Sequence, residues 1–284
     1  MFIPKRIVEE KLLALLADDV GQGDVTAAAI VPAGKIVDAE VVAKQDGVAA
    51  GIEEAAILAE CLGLKATAQA ADGEEIKNKQ VLIEISGDAQ TVLAAERTLL
   101  NLLSRMSGIA TQTRSLTQKL AESHAKTRIA ATRKTAPGLL YFDKKAVALG
   151  GGDPHRLHLD DMVLIKDNHL AIVGGVEAAV KLAKANVSFA KKIEVEVTSA
   201  SDAFLAAKAG ADVVMLDNFS PKQAKLARDK LRKAGFEKVL LEVSGSINAE
   251  NLMEYASTEV DIISMGALTH SVKALDISLE IVKK

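Results

Sequence analysis

Apolar residues recur at three- and four-residue spacing between Lys5 and Asp18 (Ile7, Val8, Leu12, Leu15, Leu16), which predicts a helix. The stretch Val20-Gly-Gln-Gly-Asp-Val-Thr26 then reads as a turn-rich loop. Ile36 to Lys44 alternates with the two-residue rhythm of a strand, and Ile52 to Leu62 returns to helical spacing. Short strands are expected near Lys65 to Ala70 and Val81 to Ser86, joined by the Asp72-Gly73 turn. The segment from Ala71 to Val81 resembles the hairpin of a biotin or lipoate carrier, but it lacks a lysine presented at the tip between methionines. A small α/β sandwich is the better reading. Ala89 to Leu103 is a strong helix, with Leu93, Leu99, Leu100, Leu102 and Leu103 apolar and Glu96-Arg97 beside them.

After Gly108 the pattern changes. Short β-branched runs (Arg128 to Ala131, Met162 to Ile165, Ile193 to Val197, Asp212 to Leu216, Val239 to Val243, Asp261 to Ser264) are interleaved with helical stretches. Those stretches are Gly175 to Ala185, Ser199 to Ala209, Pro221 to Ala234 and Ala249 to Ala256. Repeated strand-then-helix units imply a parallel sheet, most economically curved into a β/α barrel. A full barrel needs eight strands and about six are visible, so the expectation is an α/β protein with an open or incomplete barrel. A last helix, Val272 to Val282, is expected to return to the first domain.

Composition narrows the partners. Of 284 residues 49% are hydrophobic, enough for a large core, while Trp is absent and only 3% are aromatic, which leaves little for stacking nucleobases. With 35 basic and 38 acidic residues the net charge is −3, so no global field attracts nucleic acid or an anionic membrane, and any anion site must be local. The single cysteine, Cys61, has no internal disulfide partner and fits a reducing compartment. Neither a signal-peptide core nor a membrane-length apolar run is present, so a cytoplasmic protein is expected.

In β/α barrels the chemistry lies at the C-terminal mouths of the strands. There the sequence places Thr132-Arg133-Lys134, Lys166-Asp167-Asn168-His169, Glu196, Asp217-Asn218, Ser244-Gly245 and Gly266. With Gly150-Gly-Gly-Asp-Pro-His155-Arg156 they form a basic cluster, Arg133, Lys134, His155, Arg156 and Lys166, suited to a multiply anionic small molecule. Any one of these pairs alone would be an ordinary solvated surface turn. Lys166 directly after an apolar strand suits either a phosphate ligand or a Schiff-base former. Glu196 and Asp217 on neighbouring strand ends suggest a hard cation such as Mg²⁺, the plain alternative being ion pairs with the basic cluster. Glycine-containing loops at Ser244-Gly245 and Gly266, each opening a helix, suit a phosphate cup, with His270 beside them. His124 and His158 read as structural.

Read in order, these segments resemble the quinolinate phosphoribosyltransferase family. The resemblance is carried by Gly23-Asp-Val-Thr26, Glu96-Arg-Thr-Leu-Leu-Asn-Leu102, Ser107-Gly-Ile-Ala-Thr111, Thr132-Arg-Lys-Thr-Ala-Pro-Gly138 and Gly150-Gly-Gly152. It continues through His155-Arg156, Leu164-Ile-Lys-Asp-Asn-His169, Glu194-Val-Glu196, Met215-Leu-Asp-Asn218, Glu242-Val-Ser-Gly245 and Leu268-Thr-His-Ser271, and so spans nearly the whole chain.

The resemblance implies an N-terminal α/β sandwich domain (1–109 with 270–284, completed by the C-terminal helix) and a barrel domain over 110–269. It implies transfer of phosphoribose from phosphoribosyl pyrophosphate to quinolinate with loss of carbon dioxide, giving nicotinate mononucleotide for NAD biosynthesis, with Mg²⁺. By position Arg133, Lys134, His155 and Arg156 would clamp quinolinate, and Arg97 would come from the partner of a homodimer, alone or as the unit of a higher oligomer. Lys134 and Lys166 would hold diphosphate, and Glu196 and Asp217 would face the ribose and metal. Ser244, Gly245, Gly266 and His270 would bind phosphate. The catalytic set on this reading is Lys134, Lys166, Glu196 and Asp217. Two positions depart from the family pattern: Leu140 stands where many relatives have arginine, and Ser246 replaces a frequent glycine. The rivals are a same-fold transferase with another acceptor such as nicotinate, or a relative associated with molybdate transport genes, and a Schiff-base lyase acting through Lys166. A carrier or binding module leaves the barrel mouth unexplained.

Overall fold

The computed structural model describes residues 3–282. In chain order its first elements are α1 (Lys5–Val20), α2 (Val25–Ile30), β1 (Ile36–Ala43), β2 (Gly47–Val48), α3 (Ile52–Cys61), β3 (Lys65–Ala68), β4 (Glu75–Ile76), β5 (Val81–Asp88) and α4 (Ala89–Glu122). There follow β6 (Arg128–Ala131), α5 (Leu140–Leu149), β7 (Val163–Ile165), α6 (Asp167–Val173), α7 (Val176–Asn186), β8 (Ile193–Val197) and α8 (Ala200–Ala209). The last are β9 (Val213–Asp217), α9 (Pro221–Lys233), β10 (Leu240–Ser244), α10 (Leu252–Ala256), β11 (Ile262–Met265), α11 (Ala267–His270) and β12 (Ile277–Ile281). The chain divides into two compact units. One comprises Met1–Arg114, Lys145–Gly151 and Val272–Lys284, the other Ser115–Lys144 and Gly152–Ser271.

In the first unit an antiparallel sheet runs β12-β1-β5-β3. The terminal segment returns to this sheet, but as a strand: β12 pairs with β1 from Ala39↔Ile281 to Ala43↔Ile277. The expected C-terminal helix is therefore corrected. Ile277 and Leu279 alternate with Ser278 and Glu280, and an open sheet edge rewards that two-residue rhythm more than helix propensity does. The expected loop at Val20 to Thr26 also contains the start of α2, because the Asp24 carboxylate accepts the Thr26 and Ala27 N–H groups at 2.9 and 3.0 Å as an N-cap.

Helix α4 does not end near Gly108 but runs on to Glu122. Gly108 is there for close approach rather than as a stop: a Cβ would lie 2.2 Å from the Lys273 carbonyl oxygen and 3.0 Å from Ala274 Cα. The Asp72-Gly73 turn is anchored rather than presented, since Asp72 accepts the Ile52 N–H at 2.8 Å and β4 pairs with β2.

In the second unit six parallel strands run β6-β11-β10-β9-β8-β7, the six expected from the sequence. Beyond β6 the sheet is extended only by a bridge in which Ala131 N–H donates to the Asp153 carbonyl and Asp153 N–H to that of Ile129. The barrel is thus open, with β7 at one edge and β6 near the other. Val195, Val214, Leu216, Leu241, Val243 and Ile263 are buried, as parallel strands covered on both faces require. Helices enter with clear starting signals. Ser199 caps α8 by accepting the Asp202 N–H, and Ser220 with Gln223 forms a capping box before Pro221 opens α9.

Candidate active site

The C-terminal ends of the barrel strands surround a cleft of about 480 Å³. It is lined by Thr132, Arg133 and Lys134 after β6, Lys166 after β7, Glu196 on β8, Asp217 and Asn218 at β9, Glu242 and Ser244 on β10, and Ser264 on β11. His155 and Arg156 enter from the loop after α5. Asp217, Ser244 and Ser264 stand in one row across three neighbouring strands. All five members of the expected basic cluster, with Glu196, Asp217 and Ser244, are brought to one place.

The rest of the expected set divides. Gly266 and His270 do not line the cleft but stand against Lys134: a Cβ on Gly266 would lie 2.9 Å from the His270 ring and 3.2 Å from the Lys134 side chain. The Thr269 hydroxyl donates to the Lys134 carbonyl at 2.8 Å, so α11 fixes the backbone of that lysine. Gly245, at φ +104°, leaves room for Asn218, whose side-chain oxygen would fall 2.2 Å from an added Cβ. Asn218, itself left-handed at φ 55°, donates from its backbone to the Ser244 carbonyl and from its side chain to Asp217 at 2.8 Å. It therefore aims that acid. Arg97 lies on α4 in the first unit and is not among the residues lining the cleft.

At the mouth Lys166 Nζ lies 3.5 Å from Glu196, the only ion pair either residue makes among those described. Burial first, and the nearby Asp217 charge second, push the Glu196 carboxyl up, while Lys166 pulls it down. The Lys166 backbone N–H donates to His169 Nδ1 at 2.9 Å, which holds the lysine at the entrance to α6. Half-exposed and set against a carboxylate, Lys166 is in an ion-pair environment rather than a desolvated apolar pocket.

Beneath the clamp lies a buried floor whose depth the sequence did not reveal. Glu194 and Glu242 are fully buried. His155 Nε2 is 3.2 Å from Glu242 and 3.4 Å from Glu194. The Arg156 backbone N–H donates to His155 Nδ1 at 2.8 Å, which places the imidazole proton on Nε2, facing the carboxylates. Burial opposes a second proton on the ring, but Glu242 and Glu194 outweigh it and raise the imidazole pKa; that proton would have to displace the Arg156 amide. Neither Glu194 oxygen nor Glu242 Oε1 has a hydrogen-bond partner among the described residues. Burial, followed by the Glu242 charge, raises the Glu194 carboxyl well above the usual carboxylate range. The turn itself is held in place: Asp153 accepts the His155 N–H at 2.7 Å, allowing φ 54° there, and Asp161 accepts those of Leu157 and His158.

Two groups of three potential metal ligands occur among the described residues, His155 with Glu194 and Glu242, and Glu53 with Glu54 and Asp72. Neither includes Glu196 or Asp217. The Glu53 group is filled by an ammonium, since Lys145 Nζ lies 2.7, 2.7 and 3.1 Å from its three carboxylates.

Comparison with known proteins finds relatives over nearly the whole chain. The family model "Quinolinate phosphoribosyl transferase, N-terminal domain" matches residues 24–107 and its C-terminal counterpart residues 109–280. A protein of Methanothermobacter thermautotrophicus, named as a probable nicotinate-nucleotide pyrophosphorylase (carboxylating), is 46% identical over 268 residues, covering 94% of this chain and 96% of its own. The Mycobacterium leprae nicotinate-nucleotide pyrophosphorylase (carboxylating) is 40% identical over 94% of each chain. The solved nicotinate-nucleotide pyrophosphorylase of Francisella tularensis superposes with a TM-score of 0.89 at 36% identity, covering 99% of this chain and 98% of that one.

Proposed function

The chain belongs to the quinolinate phosphoribosyl transferase family, and from that premise we propose how its cleft divides the work of the reaction. The protein is an enzyme that transfers phosphoribose from phosphoribosyl pyrophosphate to quinolinate, releasing pyrophosphate and carbon dioxide and leaving nicotinate mononucleotide for NAD biosynthesis. The observation that carries this reading is the convergence of Arg133, Lys134, Arg156 and Lys166 on one cleft at the barrel mouth. Two polyanions that repel each other in water are brought together there.

In this reading Arg133 and Arg156 hold the two carboxylates of quinolinate, and His155 sets the Arg156 backbone from behind. Lys134 and Lys166 hold the diphosphate, with Ser244 and the Gly266–His270 rim beside the remaining phosphate. The pyridine nitrogen pair attacks the ribose carbon as the bond to pyrophosphate breaks and its electron pair departs with the leaving group. Positive charge grows on that carbon, and Glu196 stabilises it electrostatically. Holding the ring nitrogen in line is the larger part of the task. The carbon–carbon bond to one carboxylate then breaks, its pair stays on the ring carbon, and a proton replaces carbon dioxide. The same cations stabilise that transient negative charge.

Glu196 and Asp217 fit a magnesium site by their chemistry: two carboxylates in the cleft supply hard oxygen ligands of the type and small number Mg²⁺ takes alongside substrate phosphates. When bound, the ion neutralises diphosphate charge. We further propose a homodimer, alone or as the unit of a higher oligomer, in which Arg97 of one protomer completes the cleft of its partner. Mixing inactive Arg97→Ala and Arg133→Ala proteins should then restore part of the activity. We also propose a cytoplasmic setting, supported by the lone Cys61. Among the described residues no helix is long and apolar enough to cross a membrane.

The direct test is pyrophosphate release from quinolinate and phosphoribosyl pyrophosphate with Mg²⁺, with nicotinate as control acceptor. Release that requires quinolinate is expected. A borohydride-trapped substrate adduct on Lys166, without pyrophosphate release, would instead favour the lyase.

A further inference from the structure

Lys144 is a fully buried cation that the reaction as described does not use. It lies on α5, and its Nζ donates to the carbonyl of Pro154. Pro154 is the residue immediately before His155, whose left-handed backbone aims both His155 and Arg156. No carboxylate forms an ion pair with Lys144 among the described residues, although buried lysines are ordinarily paired. The groups that act on it are Asp153 and Asp161 from the same loop, Arg133 from the end of β6, and Arg156. Lys144 in turn acts on His155 from behind.

Burial is the largest influence on Lys144, with Arg133 and Arg156 adding to it, and together they bring its pKa down to about 8. Lys144, Arg133 and Arg156 therefore stand close together, and the nearby Asp153 and Asp161 do not outweigh burial at Lys144. A fold under no other demand would place a methionine or leucine here, because an apolar side chain of similar volume serves packing at least as well as an unpaired charge. What the arrangement gains is a buried positive charge without an ion-pair partner, close to two arginines of the cleft that receives a doubly negative ligand.

We propose that Lys144 is a positioning residue of the anion clamp: it pins the Pro154 carbonyl so that His155 and Arg156 face the cleft, and it sets behind them a positive charge that a dianionic ring balances. This deepens the quinolinate reading and rests on it. The proposal makes no use of direct contact between Lys144 and substrate.

A linkage follows. Above pH 8 much of the free protein carries a neutral Lys144, and a bound dianion restores its charge, so binding takes up a proton there. Affinity for quinolinate then falls with rising pH above 8, by at most about tenfold per unit for a single proton. Glu194, also buried near the clamp, adds uptake of its own, so the variant must separate the two.

The test is titration calorimetry of quinolinate into the full-length wild type and Lys144→Met at pH 7 and pH 9, in buffers of different ionisation enthalpy. Methionine matches the lysine in length and flexibility. The variant is expected to bind quinolinate about tenfold more weakly at pH 7, the order set by removing one charge several ångströms away. Nicotinate, with one carboxylate, should lose less, and proton uptake at pH 9 should drop in the variant. Equal affinity and equal uptake in the two proteins would overturn the proposal and leave the quinolinate reading standing. No quinolinate binding by the wild type would remove that reading itself. Should Lys144→Met not fold, Lys144→Gln takes its place: zero proton uptake by the wild type at pH 9, or uptake unchanged in Lys144→Gln, overturns the proposal, and reduced uptake with weaker quinolinate binding in Lys144→Gln supports it.

Discussion

Lys144 and Lys145 are consecutive residues of one helix, both buried, yet they live in opposite electrostatic worlds. Lys145, in the first unit, is met by Glu53, Glu54 and Asp72. Burial works against its charge, but the carboxylates outweigh burial and raise its pKa above the ordinary lysine value. Lys144, in the second unit, has one carbonyl and no ion pair among the described residues, and in its field two arginines oppose two aspartates. The first arrangement is a closed account of charge that stabilises a fold. The second is left open, and it lies beside the cleft that needs positive potential. Buried charge by itself therefore marks neither stability nor function, and the balance around it tells them apart.

Breaking the closed site should have the largest effect on folding. Lys145→Met leaves acids facing one another without a cation, and removal of one partner from a buried pair costs about 3–5 kcal/mol. Urea unfolding should show that loss, while the protein that remains folded keeps its KM for quinolinate. Breaking the open site should instead reach function. Arg133→Ala should lower kcat/KM at least about a hundredfold, the effect of losing charge-assisted hydrogen bonds to an anion, with unfolding changed by less than about 1 kcal/mol.

The alkaline range sharpens the contrast, because the two lysines carry opposite signs. Lys145 has a raised folded-state pKa, so its contribution is fully present below the ordinary lysine value and is lost as pH rises through the folded-state value. Lys144 has a depressed one, so between about pH 8 and the unfolded value of 10.5 the unfolded chain binds more protons and stability rises with pH. Its share is up to about 3 kcal/mol at 1.36 kcal/mol per pKa unit. Unfolding of wild type and Lys144→Met, compared from pH 7 to pH 10, should show the wild type gaining on the variant. A constant difference would show that Lys144 does not titrate in this window.

The smallest effect is expected at Ser246, a non-glycine residue held in the left-handed conformation at φ 52°. Ser246→Gly relieves that backbone but frees the unfolded chain, so the gain should stay below about 1 kcal/mol with activity unchanged. A thermal melt and a single assay check it.

The six barrel strands and most of their helices were legible because period-two and period-3.6 patterns persist wherever one face is buried. The cleft was legible because chain order places its residues at strand ends. What escaped was set by contacts distant in sequence. The terminal strand needs the edge of β1 to exist, and Gly108 reads as a break until the Lys273 carbonyl is seen resting on it. Glu194 and Glu242 lie inside β8 and β10, and nothing in the sequence joins them until the sheet brings both to His155. Lys144 carried only a faint signal, a lysine at the helical spacing of Tyr141 and Val147, on the face that goes inward.

The account stands most directly on the stoichiometry of the reaction. With quinolinate labelled in the carboxylate that is lost, wild-type protein should release one carbon dioxide for each pyrophosphate. Nicotinate in its place should give little pyrophosphate and no carbon dioxide. Pyrophosphate released equally well with nicotinate, or with quinolinate but without carbon dioxide, would contradict the assignment of this cleft to a dicarboxylate.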